Sequence, residues 1–490
     1  MSSSPVGARR PSPCGSGPAR WSPPCWRWRC PGRVWRPRVL TETKGRRALI
    51  LGYGRSGRAA ASFIAGRGGS VRVVDRADTP ELRADLERAG IAARLGGYDT
   101  EDLNGSDLLV VSPGVAWDAP LVEAARRRGI EVTSEIDLFF RACPSRIAGI
   151  TGTNGKTTTT ALIAELLRAG GLRVMRGGNI GEPVLDRIDQ LRPDDWVVLE
   201  LSSFQLESIT RPRLQIGVVL NITPDHLDRH KSFEHYVEIK ARAVGFMQPD
   251  DHAVLNVDDP VCAAMRSKTA GEVIAFGLHQ PVDRGVSLHD GWITIAQTGN
   301  PDRVLPAADV PLPGEHNLSN VMAALGAGHA AGVAVERMAD AVRQFKAVEH
   351  RLEPVGTFKG VRWYNDSKAT NPDSTYKALA AFNEPIILIA GGRNKGIEIE
   401  PLARAIAGRV AALVTIGETG EELARRTRDA GLHRVERAAD LADAVRKAAA
   451  LAAPGSVVLL SPAFTSYDMF RDYEDRGRRF KSTVLAELSQ

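Results

Sequence analysis

The sequence predicts an α/β protein of three domains: a Rossmann-like N-terminal domain, a central P-loop ATPase-like α/β domain and a Rossmann-like C-terminal domain. Three observations carry this. At 490 residues the chain exceeds what a single core ordinarily holds. Short apolar runs alternate with helical stretches, and two of the runs open into Gly-rich turns. After about residue 350 the alternation starts afresh. With 43% apolar and 25% charged residues the composition is globular, neither collagenous nor disordered. No apolar run approaches the roughly 18 residues of a membrane span, so membrane insertion is not expected.

Residues 1–45 stand outside this pattern. Eight Arg and no Asp, Glu or Lys fall within residues 1–38, turning the overall +6 into −2 for the remaining 452 residues. The body is therefore not basic, which argues against a nucleic-acid partner. The same stretch holds Cys14, Cys25, Cys30 and four of the eight tryptophans among Ser, Pro and Gly. Arg or Pro interrupts every candidate apolar core of a signal peptide. We expect a disordered or mis-annotated extension, with a true start at a codon such as Val39, or alternatively a short partner-binding arm. Cys143 and Cys262 alone build no disulfide framework, which suits a reducing cytoplasm.

The first domain is expected over 46–143. Arg47–Leu51 is an apolar strand that runs into Gly52-Tyr-Gly54-Arg55-Ser56-Gly57 and a helical stretch through Phe63. A second strand from Val71 ends in Asp75, and Leu108–Val111 leads into Ser112-Pro-Gly114. Strand, Gly-rich turn, helix, strand and acid admit a phosphate to a helix N-terminus and set a carboxylate near a ribose. The turn alone does not separate a nicotinamide cofactor from another diphosphate such as a UDP-sugar.

The central domain, 144–349, opens with the strand Arg146–Ile150 and Thr151-Gly152-Thr153-Asn154-Gly155-Lys156-Thr157-Thr158, followed by a helix around Ala161–Leu167. Backbone amides, a lysine and a hydroxyl fall where β- and γ-phosphates and their magnesium ion sit. The general pattern wants Gly at position 150, where this chain has Ile, so the match is to the rarer TGTNGK[ST] form. Strands Trp196–Glu200 and Ile216–Leu220 end in Glu200-Leu-Ser-Ser-Phe-Gln205 and Asn221-Ile-Thr-Pro-Asp-His226. In a parallel sheet these ends share the edge of the phosphate loop. Glu200 also suits a helix-cap partner or a solvated edge acid, and His226 a solvated loop histidine. Val237–Arg242 reads as an amphipathic helix with Lys240 on its exposed charged face.

The third domain, 350–490, has strands at Gly360–Tyr364, Pro385–Ala390, Ala412–Ile416 and Ser456–Leu460. Three strand ends carry polar loops: Asn365–Asn371, Gly391–Lys395 and Ser461–Ser466. Right-handed crossovers bring them to one face, a cationic, hydroxyl-rich crevice for a small anion.

GYGRSG, SPG, TGTNGKTT, GGNIG, LELSSFQLE, NITPDHLDRH, EHRLE, NDSKATN and LLSPAFTSYDMFRDYEDRG occur in this order across residues 46–490. In these pieces the chain resembles the Mur ligases, ATP-dependent amide ligases of peptidoglycan precursor synthesis, and most of all their D-glutamate-adding branch. The Asp-Asn-Pro-Arg of the diaminopimelate- or lysine-adding branch is missing from the third domain, and the first turn differs from that of the L-alanine-adding branch.

The resemblance implies D-glutamate addition to UDP-N-acetylmuramoyl-L-alanine through an acyl phosphate, with ATP and two Mg2+ ions. It implies catalytic roles for Lys156, His226 and Lys240, and ATP contacts from Gly152 through Thr158 together with Asn317, Arg351 and Asp366. Thr157, Glu200, His226 and a Lys240 carbamylated by CO2 would be metal ligands. Gly54, Arg55, Ser56, Asp75, Arg76, Ser112, Gly114 and Asn179 would hold the nucleotide sugar, and Thr370, Lys395, Ser466 and Tyr473 the D-glutamate. A cytoplasmic monomer is expected. Two other readings stay open: another amino-acid ligase of this type, and an ATP-switched nucleotide-sugar-binding protein that ligates nothing.

Overall fold

The computed structural model describes residues 43–488 apart from 180–182, 281 and 297–300. The expectation for residues 1–45 lies almost wholly outside the described residues. Three sheets follow one another along the chain.

In the first, Arg47–Leu51 (β1), Ser70–Asp75 (β2), Ala92–Leu95 (β3), Leu108–Val111 (β4) and Glu131–Thr133 (β5) take the order β3-β2-β1-β4-β5, every pair parallel. The central strands are apolar on both faces because helices cover both. The helix Arg55–Gly66 starts in the Gly-rich turn. A Cβ on Gly57 would stand 2.1 Å from Gly52 O, so only glycine lets the helix pack this close to the strand it leaves.

The central sheet has nine strands: Arg146–Thr151 (β6), Val174–Gly178 (β7), Trp196–Glu200 (β8), Ile216–Val219 (β9), His252–Asn256 (β10), Glu272–Gly277 (β11), Gly285–His289 (β12), Trp292–Ala296 (β13) and Asp302–Pro306 (β14), in the order β14-β13-β12-β11-β10-β9-β6-β8-β7. The pairs from β7 to β12 are parallel; β12-β13 and β13-β14 are antiparallel. β6, β8 and β9 adjoin at the centre, so the phosphate loop, Glu200 and the Asn221–His226 segment leave the same edge. Strands β10 to β14 were not anticipated from the sequence. The third sheet comprises Glu353–Phe358 (β15), Val361–Asn365 (β16), Ile386–Gly391 (β17), Ala412–Ile416 (β18), Val435–Arg437 (β19) and Val457–Leu460 (β20), ordered β15-β16-β20-β17-β18-β19.

The first two sheets share an apolar cluster. Phe139 of the helix Glu135–Ala142, together with Ile50 and Phe63, belongs to the same buried set as Val197, Leu199 and Ile239. This continuity sets the first-domain cleft firmly beside the central domain. No helix among the described residues is long and apolar enough to cross a membrane.

Candidate active site

The phosphate loop is held open by glycine. Gly155 caps the helix Lys156–Ala169 at φ 87°, and a Cβ there would fall 2.2 Å from Asn320 Oδ1. Opposite it, Asn154 N donates to Asn221 Oδ1 at 2.9 Å and Asn221 Nδ2 to Asn154 O at 3.1 Å. Lys156 folds back on its own loop, its Nζ donating to Gly152 O at 2.9 Å and Thr153 O at 2.8 Å. Burial pulls its pKa down, and Glu200 opposes that shift.

Thr157 is the hub of the site. Its Oγ1 donates to Glu200 Oε2 at 2.8 Å. The same oxygen accepts from Arg351 Nη2 at 3.4 Å and Lys368 Nζ at 3.3 Å, filling a hydroxyl's capacity of one donor and two acceptors. Glu200 also accepts from Asn179 Nδ2 at 3.1 Å. Burial works against its ionisation, but Lys156 and Lys368 outweigh it and the carboxylate sits below its ordinary range. Lys368 falls to about 8, through burial and then Arg351. Arg351 Nε is buried without a partner. Several cations thus crowd one hydroxyl at a helix N-terminus, an arrangement that favours a bound polyanion.

Lys240 overturns its exposed reading. The helix Phe233–Gly245 forms, yet Lys240 is 1% exposed, because the helix packs that face on the phosphate loop rather than on solvent. Its Nζ donates to Thr151 Oγ1 at 3.2 Å and Gly152 O at 2.9 Å and lies 4.9 Å from the Tyr236 ring centroid. Burial, then Lys156, drives its pKa well below the ordinary lysine value. His226 is exposed, at φ 53°, with its ring 5.1 Å from Phe204 and its Nε2 3.7 Å from Asp225.

A narrow cleft of about 50 Å³ between the central and third domains gathers Asn154, Gly155, Thr158, Asn317, Arg351 and Asp366. Asp366 is buried, accepting from Ser461 Oγ at 2.8 Å and Leu352 N at 3.3 Å, and burial raises its pKa to about 7. His316, Asn320, Ser374 and Lys377 also line it and were missed in the sequence, as was Lys368; of these, Lys368 lay inside a polar strand-end motif that could have flagged it.

A second cleft, of about 490 Å³, lies at the edge of the first sheet and includes Gly52, Asp75, Arg76 and Gly114. Ser112 Oγ donates to Gly52 O at 2.6 Å and so shapes the turn. Asp75 accepts from Tyr53 N at 2.7 Å and Ala77 N at 2.9 Å, which commits both its oxygens to backbone. Gly54 caps the adjoining helix and Arg55 and Ser56 begin it, but these three do not line this cleft.

In the third domain, Arg393 pairs with Thr465 across an isolated bridge, which brings the 391–395 and 461–466 loops together. Lys395 Nζ lies 5.4 Å from the ring centroid of Tyr467, and Ser466 is buried. Thr370 N donates to Lys368 O at 2.9 Å. Tyr473 stands elsewhere, its ring 5.4 Å from Lys368 Nζ and 6.1 Å from His350, towards the phosphate site. Among the described residues a cluster with metal-type ligands is Glu349, His350 and Glu353, but Lys481 Nζ already bridges its two carboxylates at 2.6 and 2.8 Å.

Family models match most of the chain: the MurD-like N-terminal domain of Mur ligases over residues 46–134, the Mur ligase middle domain over 150–328 and the Mur ligase glutamate ligase domain over 350–464. A protein of Pelotomaculum thermopropionicum named UDP-N-acetylmuramoylalanine--D-glutamate ligase is 42% identical over 451 residues, covering 91% of this chain and 99% of its own. Its namesake in Acidobacterium capsulatum is 43% identical over 450 residues, covering 91% and 97%. Among solved structures, UDP-N-acetylmuramate-alanine ligase MurC of Thermotoga maritima superposes with a TM-score of 0.55 at 19% identity, over 90% of this chain and 100% of that one. MurF ligase of the same organism, in complex with ADP, gives 0.56 at 17% identity, over 92% and 99%. These structures share the fold, and the domain matches together with the sequence identities place the chain in the Mur ligase family.

Proposed function

We propose that this chain is an ATP-dependent ligase that joins D-glutamate to UDP-N-acetylmuramoyl-L-alanine, releasing ADP and phosphate, in peptidoglycan precursor synthesis. The observation that carries the proposal is the convergence of Arg351 and Lys368 on Thr157 Oγ1 beside Glu200. Cations on the third-domain side meet the phosphate loop of the central domain, where a γ-phosphoryl group and an acceptor carboxylate must approach each other.

A carboxylate acylates poorly, so the γ-phosphoryl group first moves onto the alanyl carboxylate, and the amine of D-glutamate then displaces phosphate from the acyl phosphate. The first step drives oxyanions together. Lys156 leaves Gly152 O and Thr153 O for the γ-phosphate, while the amides of Gly155, Lys156 and Thr157 at the helix N-terminus cradle the β-phosphate. Lys368 and Arg351 neutralise the equatorial oxygens. Asn317 and Asp366 contact the nucleoside once the third domain moves back to widen the narrow cleft they line, and Lys395, Thr370 and Ser466 take the two carboxylates of D-glutamate.

Thr157 Oγ1 and the Glu200 carboxylate offer hard oxygen donors at the phosphate loop, a set that fits Mg2+; when bound, the ion offsets phosphate charge and orients the transfer. His226 is proposed for a second ion. So is Lys240 as its carbamate: the burial that favours a neutral amine also favours addition to CO2, which converts the amine into an anionic oxygen ligand with release of one proton.

Phosphate release assayed with a panel of amino acids tests the proposal. It should require ATP, the UDP-muramoyl-alanine acceptor and D-glutamate together, with L-glutamate inactive. A different preferred amino acid would make this another ligase of the family, and no turnover with any of them would leave only a nucleotide-sugar binder.

A further inference from the structure

The first-domain cleft contains one residue from the central domain, Arg229. Two acids line this cleft, and both are occupied: Asp75 holds the amides of Tyr53 and Ala77, and Asp118 holds Lys231 Nζ at 2.6 Å. Arg76 and Arg229 are its cations. Arg76 lies 5.3 Å from the centroid of Tyr98. A guanidinium has five N–H donors; Arg229 gives Nη2 to Val115 O at 3.2 Å, and the same nitrogen forms an ion pair with Glu207 Oε2 at 3.7 Å, longer than a hydrogen bond, which leaves further N–H groups for a ligand. Two guanidiniums facing one cleft, in which Lys231 pairs Asp118 and backbone amides hold both oxygens of Asp75, suit a diphosphate.

Arg229 also touches the ring that supports His226. Its guanidinium carbon is 5.1 Å from the centroid of Phe204. That ring lies 5.1 Å from His226 and stacks on His230 at 5.3 Å and 19°. The short helix Leu227–His230 runs between His226 at φ 53° and Lys231 at φ 67°, two non-glycine residues in the left-handed region, so its placement depends on tertiary contacts.

We infer that Arg229 binds the diphosphate of the nucleotide sugar from across the domain boundary and, as a positioning residue, ties occupation of that cleft to the placement of the His226 loop. The inference rests on the nucleotide-sugar reading above. A ligand that draws on Arg229 pulls on the same residue that braces Phe204, so the sugar nucleotide orders the loop before ATP chemistry begins.

The test is calorimetric binding of UDP-N-acetylmuramoyl-L-alanine to the full chain without ATP or metal, with hydrogen exchange of the 226–231 backbone read before and after binding. Arg229→Met should weaken binding at least tenfold and abolish the protection that the ligand confers on 226–231 in the wild type. Arg126→Ala, which removes a first-domain guanidinium that pairs with Glu123 and lies over Trp117 rather than lining this cleft, should bind within twofold of wild type. Arg229→Lys replaces Arg229→Met if the latter does not fold, and should also bind more weakly, because an ammonium cannot serve Val115 and a phosphate with one planar fork. Unchanged binding by the Arg229 variants, equal weakening by Arg126→Ala, or no protection of 226–231 in the wild type would each overturn the inference. A wild-type chain that binds no UDP-muramoyl-alanine would overturn the functional reading as well, which separates the two failures.

Discussion

Single residues decide the chemistry. Lys156 donates to the loop carbonyls of Gly152 and Thr153, and the proposed function turns its charge to the transferring phosphoryl group. Lys156→Ala should lower kcat on the order of 10²-fold or more while the thermal unfolding midpoint barely moves; full turnover at saturating ATP would show the loop to be misassigned. For Lys240 the expected behaviour is loss of activity in CO2-depleted, mildly acidic buffer and recovery with bicarbonate, whereas an ordinary lysine would show neither in a bicarbonate titration of the rate. The lysine of a phosphate loop is legible because its motif fixes its place. Lys240 is not, since helical periodicity gives the face a residue occupies but not what packs on that face. Lys368 and Arg229 were hidden for a related reason: each acts on a neighbouring domain, and only the tertiary arrangement shows where its stem reaches.

Secondary elements carry the site and also its weak points. The edge of the central sheet was readable, as β6, β8 and β9 are apolar runs ending in polar residues. The strands β12 and β13 also had a signal, the Asp290-Gly291 pair at φ 48° and 75°, a two-residue hairpin turn, but they bear no chemistry and their partly exposed positions blur the apolar alternation. The helix Glu135–Ala142 joins the first two domains, and its first residue accepts from Leu185 N at 3.2 Å through Glu135 Oε1. Burial raises the Glu135 pKa to about 7, from an ordinary 4.5. The fold therefore prefers the protonated carboxyl: that preference is fully satisfied below pH 4.5, and stability is lost as pH rises through about 7. Glu135→Gln should melt higher than wild type at pH 8 and no higher at pH 5, a comparison that scanning calorimetry at the two pH values makes directly.

At the scale of the whole molecule, the proposed function divides the substrates among the three domains. Lys395→Ala should raise the KM for D-glutamate about tenfold, a loss of about 1.4 kcal/mol, and leave the KM values for ATP and the nucleotide sugar within twofold; an equal loss for all three would give Lys395 a structural role. The order of the domains could be read from strand and turn patterns alone, because each sheet announces itself by a strand leading into a polar loop. The joint between the central and third domains could not, since Asn154 to Asp373 and Arg351 to Thr157 pair residues about two hundred positions apart, and no local pattern links them. On the proposed function, that joint is where the phosphoryl group crosses from nucleotide to acceptor. The most direct measurement of this crossing is one incubation of carboxyl-18O-labelled UDP-N-acetylmuramoyl-L-alanine with ATP, Mg2+ and D-glutamate, followed by mass analysis of both products. The expected result is a product carrying a single added glutamyl residue, with one 18O transferred to each inorganic phosphate released. Phosphate free of label, or label transfer without a glutamyl product, would contradict an acyl-phosphate ligase.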